Sequence, residues 1–242
     1  MSLFQTILIQ PLLNLLIWFY NVIPGADMGL AIIALTVIVK ALLWPFTQAS
    51  LKSQKALQEL QPKLNELKVQ HKDDKEALAK AMMELYATEK VNPLSSCLPI
   101  LVQIPILIAL YRVLSDGLTG QRLDLLYPFV ANPGQINANF FGFLDLTLAS
   151  IPLAVIAGAL QFVQARMLMP KNIPSQVKGS EGAKDEEMLK AMNNSMLYMM
   201  PVMTVVIGAK LPGGLTLYWV MVTLISVFQQ WLVLRKKKQQ AA

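Results

Sequence analysis

The sequence predicts an all-α polytopic membrane protein with five transmembrane helices. Hydrophobic residues make up 55% of the 242-residue chain and charged residues only 15%, which is less polar than a water-soluble domain. The apolar residues come in blocks, and a block near 20 residues can cross the hydrocarbon layer as a helix. Helices are the expected form, because backbone groups cannot stay unpaired in lipid.

Five blocks define the predicted spans. They cover residues 28–48, 96–114, 147–169, 196–210 and 213–234. The fourth is short and is followed by Leu-Pro-Gly-Gly, which predicts a tight turn and an antiparallel pair of final helices.

Positive charge predicts the orientation. Eight lysines fall between the first two spans, four fall in the loop 170–195, and the tail 235–242 is basic. Residues 1–27 have no Lys or Arg, and the loop 115–146 has only Arg122. By the positive-inside rule the N-terminus lies outside and the C-terminus inside.

Two further helical units flank the first span. Residues 1–27 are apolar but interrupted by polar residues, which predicts an interfacial amphipathic helix with Trp18 and Tyr20 at headgroup level. A signal peptide is less favoured, because no basic residue precedes the apolar part. Residues 49–92 show leucines at three- and four-residue spacing, and Asp73 precedes Glu76 as in a helix cap, so a cytoplasmic helical hairpin is expected.

The sequence contains no pattern for covalent chemistry. It has no Gly-rich phosphate loop and no GxSxG, and Cys97 and His71 are its single cysteine and histidine. We therefore expect no enzyme activity, no cofactor and no metal. The net charge of +6 follows from topology, so DNA is not an expected partner.

Polar residues recur on one face of several spans. Steps of three, four and seven return to the same helix face, and such steps join Thr36, Lys40 and Thr47 in the first span. The fifth span has the longest such stripe: Thr216, Trp219, Thr223, Ser226 and Gln230. Each residue could simply join packed helices, at about 1 kcal/mol. If the stripes face one another, they would instead line a wet cavity.

Lys40 has two interpretations from the residues alone. Its stem could snorkel to the inner interface marked by Trp44. Alternatively it lies deeper, where a central Lys costs about 3 kcal/mol and nearby water would relieve the penalty. The residues leave these two interpretations balanced.

Three motifs resemble the YidC/Oxa family of membrane protein insertases. KVNPLSSCLPILVQIPILIALYRVL, LPGGLTLYWVMVTLISVFQQ and ALTVIVKALLWPFT resemble the family's conserved spans. The resemblance implies five core spans around a hydrophilic groove, with a cytoplasmic hairpin after the first. It also implies a positive groove residue, here Lys40, and substrate-associated positions at Thr36, Tyr218 and Trp219. Lys replaces the usual Arg, and Trp219 stands where Tyr is common.

The stripes and the resemblance together give a candidate substrate-binding groove. Its residues are Lys40, Thr36, Gln103, Tyr218, Trp219 and Thr223. The expected function is insertion and folding of nascent membrane proteins in the lipid bilayer of a bacterial plasma membrane, alone or with a Sec-type translocon. The hairpin and basic tail would contact the ribosome. The alternatives are a small-solute transporter or channel, which also carries intramembrane charge, and a structural scaffold subunit.

Overall fold

The computed structural model is mostly helical and describes residues 3–71, 74–92, 98–118, 122–169 and 195–240. In chain order its α-helices are α1 (Gln10–Val22), α2 (Met28–Gln70), α3 (Lys75–Thr88), α4 (Leu98–Leu118), α5 (Ile151–Leu168), α6 (Met200–Gly208) and α7 (Gly213–Gln240). Single π-helical turns, Gln5–Ile9 and Ser195–Met199, lead into α1 and α6. Between α4 and α5 lie a short 3-10 turn, Leu123–Leu125, and a hairpin of strands β1 (Asn139–Phe140) and β2 (Leu144–Asp145).

Apolar side chains fill most of the interior of the helical body and also cover much of its surface, and a smaller set of polar side chains is buried among them. On α2, Leu42 and Phe46 are exposed while Lys40 is buried. Within the described residues, the segments Met28–Gln70, Ile151–Leu168 and Gly213–Arg235 are long and apolar enough to cross a membrane. Helix α4 has 21 residues and is also long enough, at about 31 Å. A protein that exposes apolar residues on several helices in this way is adapted to lipid rather than to water.

Helix α2 runs without interruption through the predicted boundary between residues 48 and 49. It has 43 residues, so one helix forms both the predicted first span and the start of the predicted hairpin unit. Asp74 begins α3 by accepting hydrogen bonds from the backbone of the two residues Glu76 and Ala77, whereas Asp73, the expected cap, lies outside the described residues. An ion pair between Lys63 and Glu89 shows that α3 returns along α2.

Helix α1 is packed into the fold more deeply than an interfacial helix requires. Tyr20 is 4% exposed, and its hydroxyl accepts a hydrogen bond of 2.8 Å from the backbone N–H of Asn137. Tyr20 therefore contacts a loop of the protein instead of standing free as an anchor, while Trp18 is exposed. That both residues lie at headgroup level stays a prediction. Asn14 is also buried, and its side chain bonds the backbone of Leu125 and Tyr127, so α1 is fixed to the loop after α4.

The last two helices pack chiefly against α5 rather than against each other. The glycines do not form the predicted turn, because Gly213 already belongs to helix α7. Its backbone N–H donates to the Leu148 carbonyl at 2.8 Å. A Cβ at Gly213 would lie 2.9 Å from that carbonyl oxygen. Glycine is therefore needed here for close backbone approach, not for a positive φ.

Two other boundaries differ from the predicted ones. Helix α7 continues to Gln240, so the predicted tail 235–242 begins inside a helix. Helix α5 begins at Ile151, where Ser150 is the N-cap, four residues after the predicted start. The predicted loop 170–195 lies outside the described residues up to residue 194.

Asp27 ties the loop between α4 and α5 to the start of α2. One carboxylate oxygen accepts from the backbone N–H of Leu30 at 2.9 Å, as an N-cap. The other accepts from the backbone N–H of Phe141 at 2.6 Å. At the other end of the β-hairpin, hydrogen bonds from the hydroxyl and backbone of Thr147 lower the pKa of the Asp145 carboxyl. Carboxylates thus hold both ends of this loop.

We expect Asp27→Ala to lower the free energy of unfolding by about 2 kcal/mol, because it removes a cap and a charged hydrogen bond together. Asp27→Asn should lose less, since Asn also caps helices. The measurement is thermal and denaturant unfolding in detergent. Asp124→Ala is the control, because Asp124 is exposed in the same loop. Equal stability of the Asp27 and Asp124 variants would contradict the role given to Asp27.

Candidate functional site

The polar faces of α2 and α7 meet inside the helical body. The ammonium group of Lys40 donates a hydrogen bond of 2.8 Å to the hydroxyl of Ser226. That hydroxyl in turn donates to the carbonyl of Val222, one turn back in α7, at 2.7 Å. The face of α2 that carries Lys40 therefore points at α7. We call the contact between these two polar faces the α2–α7 seam.

Lys40 lies well within α2 and is 7% exposed. It comes 12 residues after Met28, which places it about 18 Å along the helix. An ammonium group has three N–H donors. Among the described residues, only Ser226 accepts a hydrogen bond from the ammonium group of Lys40. The ion pairs found among the described residues do not include Lys40. The site therefore has a cation with unused donors and no carboxylate in contact.

A second polar contact joins the same helices further along the seam. The hydroxyl of Thr47 lies 3.0 Å from the amide oxygen of Gln229. The amide nitrogen of Gln229 donates to the backbone carbonyl of Trp44 at 3.2 Å. Pro45 and Trp44 belong to the turn that follows Lys40. Both polar atoms of Gln229 are thus paired across the seam.

Helix α4 contributes a separate polar contact to α7. The amide nitrogen of Gln103 donates to the hydroxyl of Tyr218 at 2.8 Å. Tyr218 is 2% exposed, and it is eight residues from Ser226, which turns it about 80° away around α7. The Gln103–Tyr218 pair is therefore on a different side of α7 from the seam.

Of the remaining candidate residues, Trp219 is half-buried, while Thr36 and Thr223 bond within their own helices. Thr36 is fully buried, and its hydroxyl donates to the carbonyl of Ile32 at 2.6 Å. Thr223 is also buried, and its hydroxyl donates to the carbonyl of Trp219 at 2.9 Å. Such bonding one turn back is usual for Thr in helices. These two threonines are placed in the interior but are not joined to Lys40.

The structure brings together part of the predicted set and adds residues to it. Lys40 meets Ser226, which belonged to the predicted stripe but not to the predicted site. Gln229 was not predicted, because its neighbour Gln230 fits the stripe and adjacent residues differ by about 100° around a helix. The sequence feature that could have identified Gln229 is the Gln-Gln pair itself, which is unusual in an apolar span. Within the described residues there is no group of three metal-ligating side chains.

Long apolar helices around buried polar contacts define a multi-pass membrane protein, as predicted. A family model described as "60Kd inner membrane protein" matches residues 18–240. The chain therefore belongs to this family, the one that includes the YidC membrane protein insertases, and the predicted family membership is confirmed. Because its similar proteins are bacterial, the chain is a protein of the bacterial inner membrane.

Similar curated proteins carry the name membrane protein insertase YidC. One from Fusobacterium nucleatum is 35% identical over 210 residues, which is 87% of this chain and 87% of that protein. One from Pelobacter propionicus is 35% identical over 229 residues, which is 94% of this chain but 38% of that protein. The chain thus spans about two fifths of the longer relatives. A crystal structure of an active YidC insertase with its first transmembrane domain resolved has a TM-score of 0.57 and 21% identity, covering 94% of this chain and 46% of that one; it shows the shared fold.

We expect Tyr218→Phe and Gln103→Met each to destabilise the protein, and the two effects to overlap. A double-mutant cycle should give a coupling of about 1 kcal/mol, the usual contribution of such a hydrogen bond between membrane helices. The measurement is unfolding in detergent for the two single variants and the double variant. Additive effects would mean that this hydrogen bond does not hold α4 on α7.

Proposed function

We propose that the protein is a membrane protein insertase, which helps nascent membrane proteins to enter and fold in the bilayer. One observation carries the proposal. Lys40 places a buried cation, with unused hydrogen-bond donors, between two helices whose outer faces are apolar. A cation in such a place attracts anionic groups, because electrostatic attraction is stronger where water is excluded.

The substrate would bring the missing anion. A short extracytoplasmic segment of a nascent protein often carries carboxylates, and a carboxylate beside Lys40 would form a charge-assisted hydrogen bond. When the substrate segment enters the seam part-way, this hydrogen bond lowers the free-energy cost of moving the segment's polar groups into the membrane. The apolar helix that follows then moves into lipid, and hydrophobic transfer supplies the free energy. This sequence of steps needs no nucleotide and no covalent intermediate.

The seam must open for this to happen. Its contacts are a few hydrogen bonds, from Lys40 to Ser226, from Thr47 to Gln229 and from Gln229 to the Trp44 carbonyl, and such bonds contribute about 1 kcal/mol each between membrane helices. A polar substrate segment offers equivalent partners, so these bonds can be exchanged rather than lost. A hydrophilic groove needs polar groups that can exchange hydrogen bonds within the protein for hydrogen bonds to the substrate. The proposed groove therefore centres on Lys40, Ser226 and Gln229. We propose the predicted Thr36, Trp219 and Thr223 as further parts of it, and Gln103 and Tyr218 would line it from another side of α7.

The topology and partners belong to the same proposal. Five spans with the N-terminus outside would place the unit formed by α3 and the second half of α2 in the cytoplasm. Its exposed lysines and the basic end of α7 suit the acidic surface of a ribosome. A Sec-type translocon is a further expected partner.

A small-solute transporter or channel is the competing function. Such a protein would pair its intramembrane charges along a path, whereas Lys40 contacts no carboxylate in the described parts of the chain. Solute release from loaded vesicles tests this directly. Flux that depends on Lys40, without insertion activity, would favour the transporter.

We expect Lys40→Ala to slow insertion of a single-span substrate with an acidic tail about tenfold, since a close charge pair contributes on the order of 1.5 kcal/mol. Lys40→Glu should slow it further, because like charges repel. Lys40→Arg should remain active. The measurement is the rate of protease protection of the substrate in proteoliposomes.

Lys52→Ala is the matched control, because Lys52 is an exposed lysine on the same helix. It removes the same charge outside the seam and should insert at the wild-type rate. If Lys40→Ala and Lys40→Glu both match Lys52→Ala with this substrate, Lys40 is not the electrostatic element.

A further inference from the structure

Gln230 is a buried side chain whose hydrogen-bonding groups have no partner among the residues that the structure describes. It is 2% exposed, and neither its amide nitrogen nor its amide oxygen makes a hydrogen bond. The adjacent Gln229 is 1% exposed, and both its polar atoms are paired. Because an unpaired amide in an apolar interior is costly, Leu or Met would be the stabilising choice at position 230. The amide therefore points to a partner that this structure does not contain.

The position of Gln230 connects it with the seam. It lies one turn after Ser226 and two turns after Thr223, so these three side chains share a face of α7. Ser226 accepts the hydrogen bond from Lys40. The unpaired amide thus lies about 6 Å along the helix axis from the residue that holds the buried cation.

The chemistry of a carboxamide selects its partner. It offers N–H donors and a carbonyl acceptor side by side and carries no charge. A main-chain peptide group has the complementary N–H and C=O, and it must be paired when it enters an apolar layer. A carboxylate or an ammonium group would use only one half of the amide. We propose that Gln230 binds an unpaired main-chain peptide group of the entering polypeptide, next to the charge site at Lys40.

This inference rests on the proposed insertase function and makes it more specific. Lys40 would recognise acidic side chains, which only some substrates have. Gln230 would recognise the backbone, which all of them have. Loss of Lys40 should therefore affect acidic substrates most, whereas loss of Gln230 should affect substrates of any sequence.

The first test uses two single-span substrates, one with an acidic tail and one with an uncharged polar tail. In proteoliposomes Gln230→Met should slow both by a similar factor, at least about fivefold, because each neutral hydrogen bond contributes about 1 kcal/mol, while Lys40→Met should slow the acidic one more than the uncharged one. Wild-type insertion of both substrates by Gln230→Met would overturn the inference and leave the proposed function intact. A wild-type protein no better than protein-free liposomes would overturn both.

The second test is the stability of the protein without substrate. Gln230→Met should melt at the same or a higher temperature than wild type in detergent, because it removes an unpaired buried amide. Gln229→Met is the matched control and should melt lower, because it breaks two hydrogen bonds across the seam. If Gln230→Met melts as low as Gln229→Met, the amide has an internal partner such as a bound water, and the inference fails.

The third test asks whether the ligand is the backbone. Substrates made with a single ester in place of a peptide bond lack one N–H at a chosen position of the tail. At one or more positions, the ester should slow insertion by the wild-type protein but should not slow insertion by Gln230→Met any further. Multiplicative effects at every position would show that the amide does not bind the main chain.

Discussion

The hydrogen bond between Lys40 and Ser226 is the contact around which the interior of this protein is arranged. It draws the polar faces of α2 and α7 together and leaves their apolar faces outside, where Leu42 and Phe228 are exposed. The apolar exterior follows from the solvent, because lipid accepts apolar side chains and gives polar groups nothing to bond. Each polar group must then find a partner within the protein or in the substrate. The proposed function depends on that second possibility.

The sequence predicted the helical membrane class and the importance of Lys40, because hydropathy and charge report directly on the environment of a segment. It predicted contacts less well. Tyr20 was expected at the interface, yet it bonds the backbone of Asn137, more than a hundred residues away, and no local pattern reveals such a partner. Gln229 was missed because a single-stripe analysis assumes one polar face, whereas α7 is contacted by α2, α4 and α5 and can bury polar residues on several sides.

The ends of helices differ from the predicted segment boundaries for a related reason. Hydropathy changes near residue 48, where α2 passes into a more polar sequence, but the backbone continues as one helix to Gln70. Hydropathy describes what surrounds a helix, while the hydrogen-bond ladder decides where it ends. The glycines after Pro212 were expected to form a tight turn, but Gly213 instead begins a helix and lies close to the Leu148 carbonyl. The predicted groove residues remain a proposal, supported by the burial and contacts of Lys40.

The unbroken length of α2 has a mechanical consequence. Pro45 has no N–H, so the Ala41 carbonyl lacks its helical donor, and the helix bends more easily there. Pro62 creates a second such point further along the same helix. The segment from Pro45 to Gln70 is about 38 Å long, whereas Lys40 is only about 8 Å from Pro45. A bend at Pro45 therefore moves the far end of α2 much further than it moves the contact between Lys40 and Ser226.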